Sequence, residues 1–226
     1  MMPLLRRLGP GRWTAARLVT SPVGAQPRGL SAGPRAVTDF SSPIFWDDFY
    51  RERRVPSRGS GFEWFVDSER ALGAIDPVVS ATPSWRQGTA LHVGSGTSSL
   101  GLALVELGLA TSVVNTDRSE RAIRQMRRAS GSLGCQEWVV DDCCASHLAS
   151  GSFALIVDKG TMDAVGFGEG GAARCEAMAG EMARLLVPGG VFLQVPNNYQ
   201  RALGLHCTAV QFLRLVNTPS KHASWR

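Results

Sequence analysis

The first 37 residues contain no aspartate, no glutamate and no lysine, but they carry six arginines, at positions 6, 7, 12, 17, 28 and 35. An arginine-rich, acid-free leader that also contains serine and alanine is typical of a mitochondrial transit peptide. We therefore predict a disordered transit peptide over residues 1–37, recognised by the mitochondrial import machinery and removed near Ser31, and a protein of the mitochondrial matrix. A basic disordered arm is the alternative interpretation.

Excess positive charge is missing from the rest of the chain. Removing the six arginines from the 24 Lys and Arg leaves 18, against 19 Asp and Glu. A nearly neutral body lacks the positive surface that binding to a phosphate backbone requires. No apolar run approaches the ~20 residues of a membrane-spanning helix. We predict neither a nucleic-acid partner nor a membrane span.

Metal-binding cysteine patterns are also absent. The five cysteines, at positions 135, 143, 144, 175 and 207, form no Cys-x-x-Cys pair and no His/Cys cluster with zinc spacing. We predict no metal in the site, and we interpret the adjacent Cys143 and Cys144 as packing residues in preference to a redox pair.

The sequence does contain a regular alternation of strands and helices. Strands are predicted over 90–93, 112–115, 137–140, 153–157 and 191–195, with helices over 98–107, 119–130 and 172–186. This alternation predicts an α/β fold with a doubly wound, mostly parallel sheet. Upstream we predict a short amphipathic helix over 45–54, a second helix that ends near Ile75, and a loop over 77–88.

The segment Leu91–Leu100 reads LHVGSGTSSL, in which an apolar run, a Gly-x-Gly pair and a helix start follow one another. Gly94 and Gly96 can adopt backbone angles closed to other residues, so main-chain N–H groups and the helix dipole can face a ligand. The pattern favours a nucleotide-like ligand beyond the carboxyl ends of the strands. A plain turn is the alternative.

Acidic residues follow the later strands. Asp117 lies about twenty residues after the glycines, where a carboxylate can accept the hydroxyl protons of a ribose. Asp142 and the backbone N–H of Cys143 can bind the amino group and a ring nitrogen of adenine, and Asp158 follows the fourth strand. A solvated acid at a strand end is the alternative for Asp117.

A third glycine, which the dinucleotide pattern G-x-G-x-x-G requires, is absent because position 99 is serine. S-adenosylmethionine carries adenine and ribose but no pyrophosphate. The sequence therefore favours S-adenosylmethionine over NAD as the cofactor, and methyl transfer as the reaction.

The segments VGSGTSSL, NTDRS, VVDDCC, LIVDKGTMDAV and LLVPGG follow one another in this order, with FWDDFY and GFEWF upstream. Over roughly residues 45–195 the chain resembles the seven-strand S-adenosylmethionine-dependent protein-lysine methyltransferases of the methyltransferase-like group. The resemblance implies a Rossmann-like class I methyltransferase fold, with a cofactor-covering helical segment over 38–88 and a cofactor-binding core over 89–195. The leader and the pairing of GTSSL with DKGTxDAV are most similar to members that methylate citrate synthase. Members that modify elongation factor 1A lack such a leader.

This resemblance implies roles for individual residues. The implied cofactor-binding residues are Trp46, Tyr50, Trp64, Gly94, Gly96, Asp117, Arg118, Asp142, Cys143 and Lys159. The three aromatic side chains would fold over the cofactor, and Gly94 would contact its methionine part. Asp117 and Arg118 would hold the ribose, and Lys159 would lie near the cofactor at the fourth strand end. Ordinary core packing is the alternative for the aromatic residues.

The chain departs from the family pattern in two places. Where the family usually has an acid two residues before the first glycine, this chain has His92, which is mostly uncharged at neutral pH. The tail over 196–226 contains no Asp or Glu and does not resemble the two closing strands of the family. We expect a divergent tail with an incomplete C-terminal hairpin, in which residues 208–216 form one strand.

Methyl transfer to lysine requires a neutral amine aligned with the leaving sulfur. Burial beside aromatic faces favours that form, because a free lysine has a pKa of about 10.4. We predict that Asp158 and Asp163 orient the target lysine or accept its proton, with helix capping as the alternative for Asp163. The predicted function is protein-lysine methylation, with citrate synthase as the expected substrate. The alternatives are a methyltransferase acting on another mitochondrial protein or a small molecule, and a catalytically silent cofactor-binding homologue.

Overall fold

The computed structural model describes residues 39–53, 55, 61–80, 88–131 and 134–195. The predicted transit peptide, the predicted tail over 196–226 and the strand predicted within that tail lie outside the described residues. Within these ranges, no helix combines the length and apolar character needed to cross a membrane.

A five-stranded parallel sheet forms the centre of the described structure. Its strands are β1 (Thr89–Val93), β2 (Ser112–Asp117), β3 (Gln136–Val140), β4 (Phe153–Lys159) and β5 (Leu186–Val195). The strand order is β3-β2-β1-β4-β5, and every neighbouring pair is parallel. The winding direction reverses between β1 and β4, and a reversal of this kind opens a crevice at the carboxyl ends of the strands.

Helices cover both faces of this sheet. They are α1 (Pro43–Glu52), α2 (Ser68–Ser80), α3 (Leu100–Glu106), α4 (Glu120–Ser130), α5 (Thr161–Val165) and α6 (Gly171–Leu185). Leu155 and Val157 of β4 pack in one core cluster with α2 and α3, whereas Ile156 packs in a second cluster with Met178 and Met182 of α6. Because successive strand residues point to opposite faces, this division confirms the predicted α/β fold with a doubly wound, parallel sheet.

The predicted loop over 77–88 is wrong at its start, because α2 continues to Ser80. Val79 is fully buried in the core cluster that also contains Ile75, and its burial favours another helical turn. Pro77 lacks the N–H that would bond to the carbonyl of Gly73. Gly73 is exposed, so that carbonyl is not left buried without a partner.

The last described strand begins earlier than predicted. β5 starts at Leu186, which pairs with Phe153, and the register then shifts so that Leu155 pairs with Val191. The Pro188-Gly189-Gly190 turn therefore lies inside the strand as an irregularity. Gly189 takes a left-handed φ of 82°, which glycine adopts without steric cost.

Candidate active site

The glycine turn between β1 and α3 is fixed by contacts with other parts of the protein. Gly94 and Gly96 both have positive φ, at 59° and 53°. A Cβ atom at Gly94 would lie 2.0 Å from Oγ1 of Thr161, and one at Gly96 would lie 2.2 Å from the hydroxyl oxygen of Tyr50. Only glycine fits either position. Gly94 lines the crevice at the strand ends, whereas Gly96 lies beneath Tyr50 and outside that lining.

Asp117 ends β2 beside this turn, as predicted, and it lines the crevice. One of its carboxylate oxygens accepts the N–H of Gly96 and the other accepts the N–H of Ser119, each at 2.8 Å. Burial raises the pKa of Asp117 to about 6 despite these two hydrogen bonds. Each carboxylate oxygen has a second acceptor site, so the side chain can still accept hydroxyl protons from a ligand.

Arg118 lies in the wall of the crevice but is itself exposed. Its Nη1 donates to the carbonyl of Ser41, at 3.1 Å, just before α1. The structure therefore gives Arg118 a contact that holds the N-terminal segment near the end of β2. A direct contact between Arg118 and a ribose stays a prediction.

Three polar residues follow β3 at the next strand end. Asp141 and Cys143 line the crevice, whereas Asp142 is half-buried outside the lining and accepts the N–H of Cys144 at 2.9 Å. Asp141 accepts the backbone N–H of His147 at 3.0 Å. The predicted adenine contact of Cys143 lies at the crevice wall, and the one assigned to Asp142 stays a prediction.

Aromatic side chains from the N-terminal segment cover the crevice. The rings of Trp46 and Tyr50 stack with centroids 6.1 Å apart, and Trp46 meets Trp64 edge-on at 5.4 Å. All three line the crevice together with Phe40 and Phe167, and their predicted contact with the cofactor stays a prediction. An aromatic wall of this kind attracts cations through its ring faces. Tyr50 is only 3% exposed, so most of its side chain packs against the protein and only a small part faces the crevice.

A buried ion pair holds this cover to the sheet. Nζ of Lys159, at the end of β4, lies 2.8 Å from a carboxylate oxygen of Glu63 and donates to the carbonyl of Trp64 at 2.9 Å. The other oxygen of Glu63 accepts hydrogen bonds from the Ser68 hydroxyl and from the backbone N–H of Ser99 at the start of α3. Burial alone would raise the pKa of Glu63, but the Lys159 ammonium and these hydrogen bonds outweigh it, so the pKa is lowered.

Glu63 is the site residue that sequence reasoning missed. Its signal was a single acid inside the aromatic run GFEWF. A carboxylate packed among aromatic rings must be paired, and a nearby strand-end lysine was available. Lys159 lies in the crevice wall as predicted, but its ammonium group is engaged by Glu63 and by the segment around Trp64.

The two predicted catalytic aspartates occupy different environments. Asp158 is fully buried, and its two oxygens accept the N–H groups of Thr161 and Met162 at 2.6 and 3.2 Å, which caps α5. Burial raises the pKa of Asp158 to about 7. Asp163 is exposed in the first turn of α5 and lines the crevice. The side chain that caps the start of α5 is therefore Asp158, whereas capping had been considered for Asp163.

His92 lies one strand away from these groups and is 1% exposed. Burial, together with the nearby Lys159 ammonium, lowers the pKa of His92 to about 4. The histidine is therefore uncharged at neutral pH, in agreement with the sequence expectation, and it contributes no negative charge beneath the glycine turn.

The crevice that these residues enclose has a volume of about 970 Å³, which is within the usual size of ligand sites. It joins a carboxylate with spare acceptor sites, a glycine without a side chain in the way, and a wall of aromatic rings. These are the groups that a ribose, a compact amino-acid tail and a sulfonium cation require. The residues present therefore fit S-adenosylmethionine.

Residues 90–190 match the family model described as a methyltransferase domain. The eEF1A lysine and N-terminal methyltransferase of Danio rerio is 30% identical over 73% of this chain, but the chain spans only 22% of that protein's length. The mitochondrial citrate synthase-lysine N-methyltransferase CSKMT is 28% identical in Danio rerio and 29% in Pongo abelii. These alignments cover 70% and 72% of this chain, and 67% and 73% of the relatives.

Among solved structures, the PH0226 protein from Pyrococcus horikoshii OT3 is similar, with a TM-score of 0.52 and 19% identity, covering 70% of this chain and 69% of that one. This similarity concerns the fold alone. The methyltransferase-domain match and the fit of the crevice support S-adenosylmethionine as the cofactor and an S-adenosylmethionine-dependent methyltransferase as the class of protein.

Proposed function

We propose that this protein is a protein-lysine N-methyltransferase of the mitochondrial matrix and that its substrate is citrate synthase. The observation that carries the proposal is that one crevice is lined by the Asp117 carboxylate, by a wall of aromatic rings and by the acidic side chain of Asp163. The first group suits the cofactor, and the wall with its acid suits a lysine side chain.

Asp117 accepts the hydroxyl protons of the ribose, and Gly94 gives the methionine part room at the turn. Cys143 and Asp142 contact the adenine, while Trp46, Tyr50 and Trp64 cover the cofactor. Arg118 and Lys159 act mainly by holding the N-terminal segment, through Ser41 and Glu63 respectively. When bound, S-adenosylmethionine supplies a methyl group on a positively charged sulfur.

The target lysine must lose its proton before its nitrogen can accept a methyl group. The aromatic wall disfavours the ammonium form by excluding water. Asp163, which lines the crevice, orients the amine and accepts its proton. Asp158 is a positioning residue, because its carboxylate caps α5 and thereby sets the place of Asp163.

Two features support the substrate and the location. The relatives named citrate synthase-lysine N-methyltransferase align along 67% and 73% of their length, whereas the relatives named for eEF1A align along 22% in Danio rerio and 59% in Mus musculus. The acid-free leader over residues 1–37 fits import into mitochondria.

Radiolabelled cofactor tests the proposal with purified citrate synthase and elongation factor 1A offered side by side. We expect label in citrate synthase, and we expect Asp163→Asn to slow the transfer by about a hundredfold or more while leaving cofactor binding intact. Glu120→Gln, an exposed acid outside the crevice, is the matched control and should transfer at the normal rate. Label in elongation factor 1A and none in citrate synthase would contradict the assigned substrate, as would label only in another protein or a small molecule when a mitochondrial matrix extract replaces the purified proteins.

A catalytically silent cofactor-binding protein is the second candidate, and His92 favours it. An uncharged, buried imidazole stands where the family pattern has a carboxylate, so the attraction for the ammonium group of the cofactor is weaker. Calorimetric binding of S-adenosylmethionine without transfer to any protein of a mitochondrial matrix extract would favour this candidate.

A further inference from the structure

A cluster of metal-binding atom types follows β3. The side chains of Asp142, Cys143 and Cys144 are half-buried, and one carboxylate oxygen and both sulfur atoms lie within 4.8 Å of one another. Both cysteines are free thiols. The methyl-transfer roles described above use neither the sulfur of Cys144 nor this grouping of three side chains.

Hydrogen bonds and packing hold the three side chains in place. The sulfur of Cys144 donates to the carbonyl of Arg174 at 3.5 Å, and Oδ1 of Asp142 accepts the backbone N–H of Cys144 at 2.9 Å. Cys143 and Cys144 also pack against the core cluster that contains Met178 and Met182. The three ligand atoms are therefore held close to one another by the fold itself.

A bridging ion fits two adjacent cysteines better than a disulfide does. Neighbouring Cα atoms across a trans peptide are about 3.8 Å apart, whereas disulfide-bonded residues usually have Cα atoms about 4.4 to 6.8 Å apart. A disulfide between Cys143 and Cys144 would therefore be strained. A zinc ion with metal–sulfur bonds of about 2.3 Å and tetrahedral angles holds two sulfur ligands about 3.8 Å apart, without an S–S bond.

We propose that Asp142, Cys143 and Cys144 form a binding site for a thiophilic divalent cation such as Zn²⁺, and that the bound ion and the adenine of the cofactor exclude each other. Two thiolates and a carboxylate supply the hard and soft ligands that zinc accepts. The exclusion rests on the proposed function, because Cys143 lines the crevice where adenine is assigned.

Cadmium titration of the reduced, metal-free full chain tests the site, because thiolate-to-cadmium bonds give an ultraviolet charge-transfer band. We expect the band to saturate at one ion per chain and to be lost in Cys143→Ser and in Cys144→Ser. Asp142→Asn should shift saturation to higher cadmium concentration. The matched controls Cys135→Ser, Cys175→Ser and Cys207→Ser should keep the band. An equal band in all variants, or none in the unmodified chain, would overturn the site.

The midpoint of thermal unfolding provides a second measurement, which still tests the site if a cysteine variant is less stable. Zn²⁺ should raise the midpoint of the unmodified chain and of Cys175→Ser but not that of Cys144→Ser. If Zn²⁺ raises the midpoint of Cys144→Ser equally, the site is elsewhere.

Competition separates this proposal from the proposed function. S-adenosylmethionine should displace cadmium and reduce the band of the loaded protein. A band that the cofactor leaves unchanged, in a chain whose metal-free form binds the cofactor calorimetrically, would overturn the exclusion alone. A metal-free chain that does not bind the cofactor would overturn the proposed function while the cadmium titration still decides the metal site.

Discussion

The ends of β2 and β4 carry the same kind of sequence, an aspartate followed by a basic residue, yet the structure uses them differently. At the end of β2, Asp117 lines the crevice and keeps acceptor sites for a ligand. At the end of β4, Asp158 caps α5 and Lys159 pairs with Glu63. One strand end is available to the cofactor, and the other is occupied by the protein itself.

This difference has a structural cause. A helix starts directly after β4, and its first N–H groups need acceptors, which Asp158 provides. After β2, the Ser119 side chain accepts an N–H at the start of α4, so the carboxylate before it is only partly engaged in capping. Where a serine caps the following helix, the strand-end aspartate lines the crevice, and where the aspartate itself caps the helix, it lies outside the crevice lining.

Removing the charge of Lys159 should give the largest effect. Lys159→Met leaves Glu63 buried without its cation, and we expect a loss of about 3 to 5 kcal/mol in the free energy of unfolding. Denaturant unfolding measures this loss. The double variant Lys159→Met with Glu63→Gln should recover part of it, because no unpaired charge remains. A stable Lys159→Met that has lost only cofactor affinity would instead assign this strand end to the ligand.

Asp117→Asn should mainly affect cofactor binding. The variant loses the charged acceptor for the ribose hydroxyls, and a hydrogen bond to a charged group contributes about 1.5 to 3 kcal/mol. The affinity for S-adenosylmethionine should therefore fall by about a hundredfold. Calorimetry checks this value. Asp158→Asn is the matched control at the other strand end, and it should lower stability while changing affinity much less. Equal losses of affinity in the two variants would remove the distinction between the strand ends.

A change of pH should have the smallest of these effects. Cofactor affinity should rise with pH, whereas the contribution of Asp117 to the free energy of unfolding should fall. Because the pKa of Asp117 is about 6 in the fold, affinity should rise about tenfold between pH 5 and pH 7 as the carboxylate ionises. The folded pKa lies above the ordinary aspartate value of 3.8, so the Asp117 contribution to stability is present in full below pH 3.8 and is lost as pH rises through about 6. Asp117→Asn should flatten both profiles, and an affinity that is independent of pH in the unmodified chain would contradict the ribose assignment.

The sequence predicted the sheet well because β1, β2 and β4 are short apolar runs bounded by turn signals, and their burial leaves no other arrangement. It failed where tertiary contacts override a local signal. Pro77 predicted the end of a helix, but the burial of Val79 extends α2 beyond it. The five-residue helix α5 is too short for a periodic pattern, so the sequence did not reveal it.

The sequence indicated where the candidate site lies, but it did not show which residues of the site contact one another. Asp117 follows from the spacing after the glycines, and its place in the crevice agrees with that reasoning. The pairing of Lys159 with Glu63 joins residues 96 positions apart, and nothing local specifies such a contact. Sequence spacing alone also could not tell that Asp141, and not Asp142, lines the crevice.

The two glycines of the turn have a consequence for how such chains are recognised. Thr161 and the Tyr50 hydroxyl occupy the space that a methyl group would take at Gly94 and Gly96. Each glycine thus leaves space for a side chain from another segment of the same chain, whether or not a small molecule is bound. A degenerate copy that kept the glycines but lost α1 or α5 would keep the glycine spacing without the contacts that require it. A search based on glycine spacing would still select that copy.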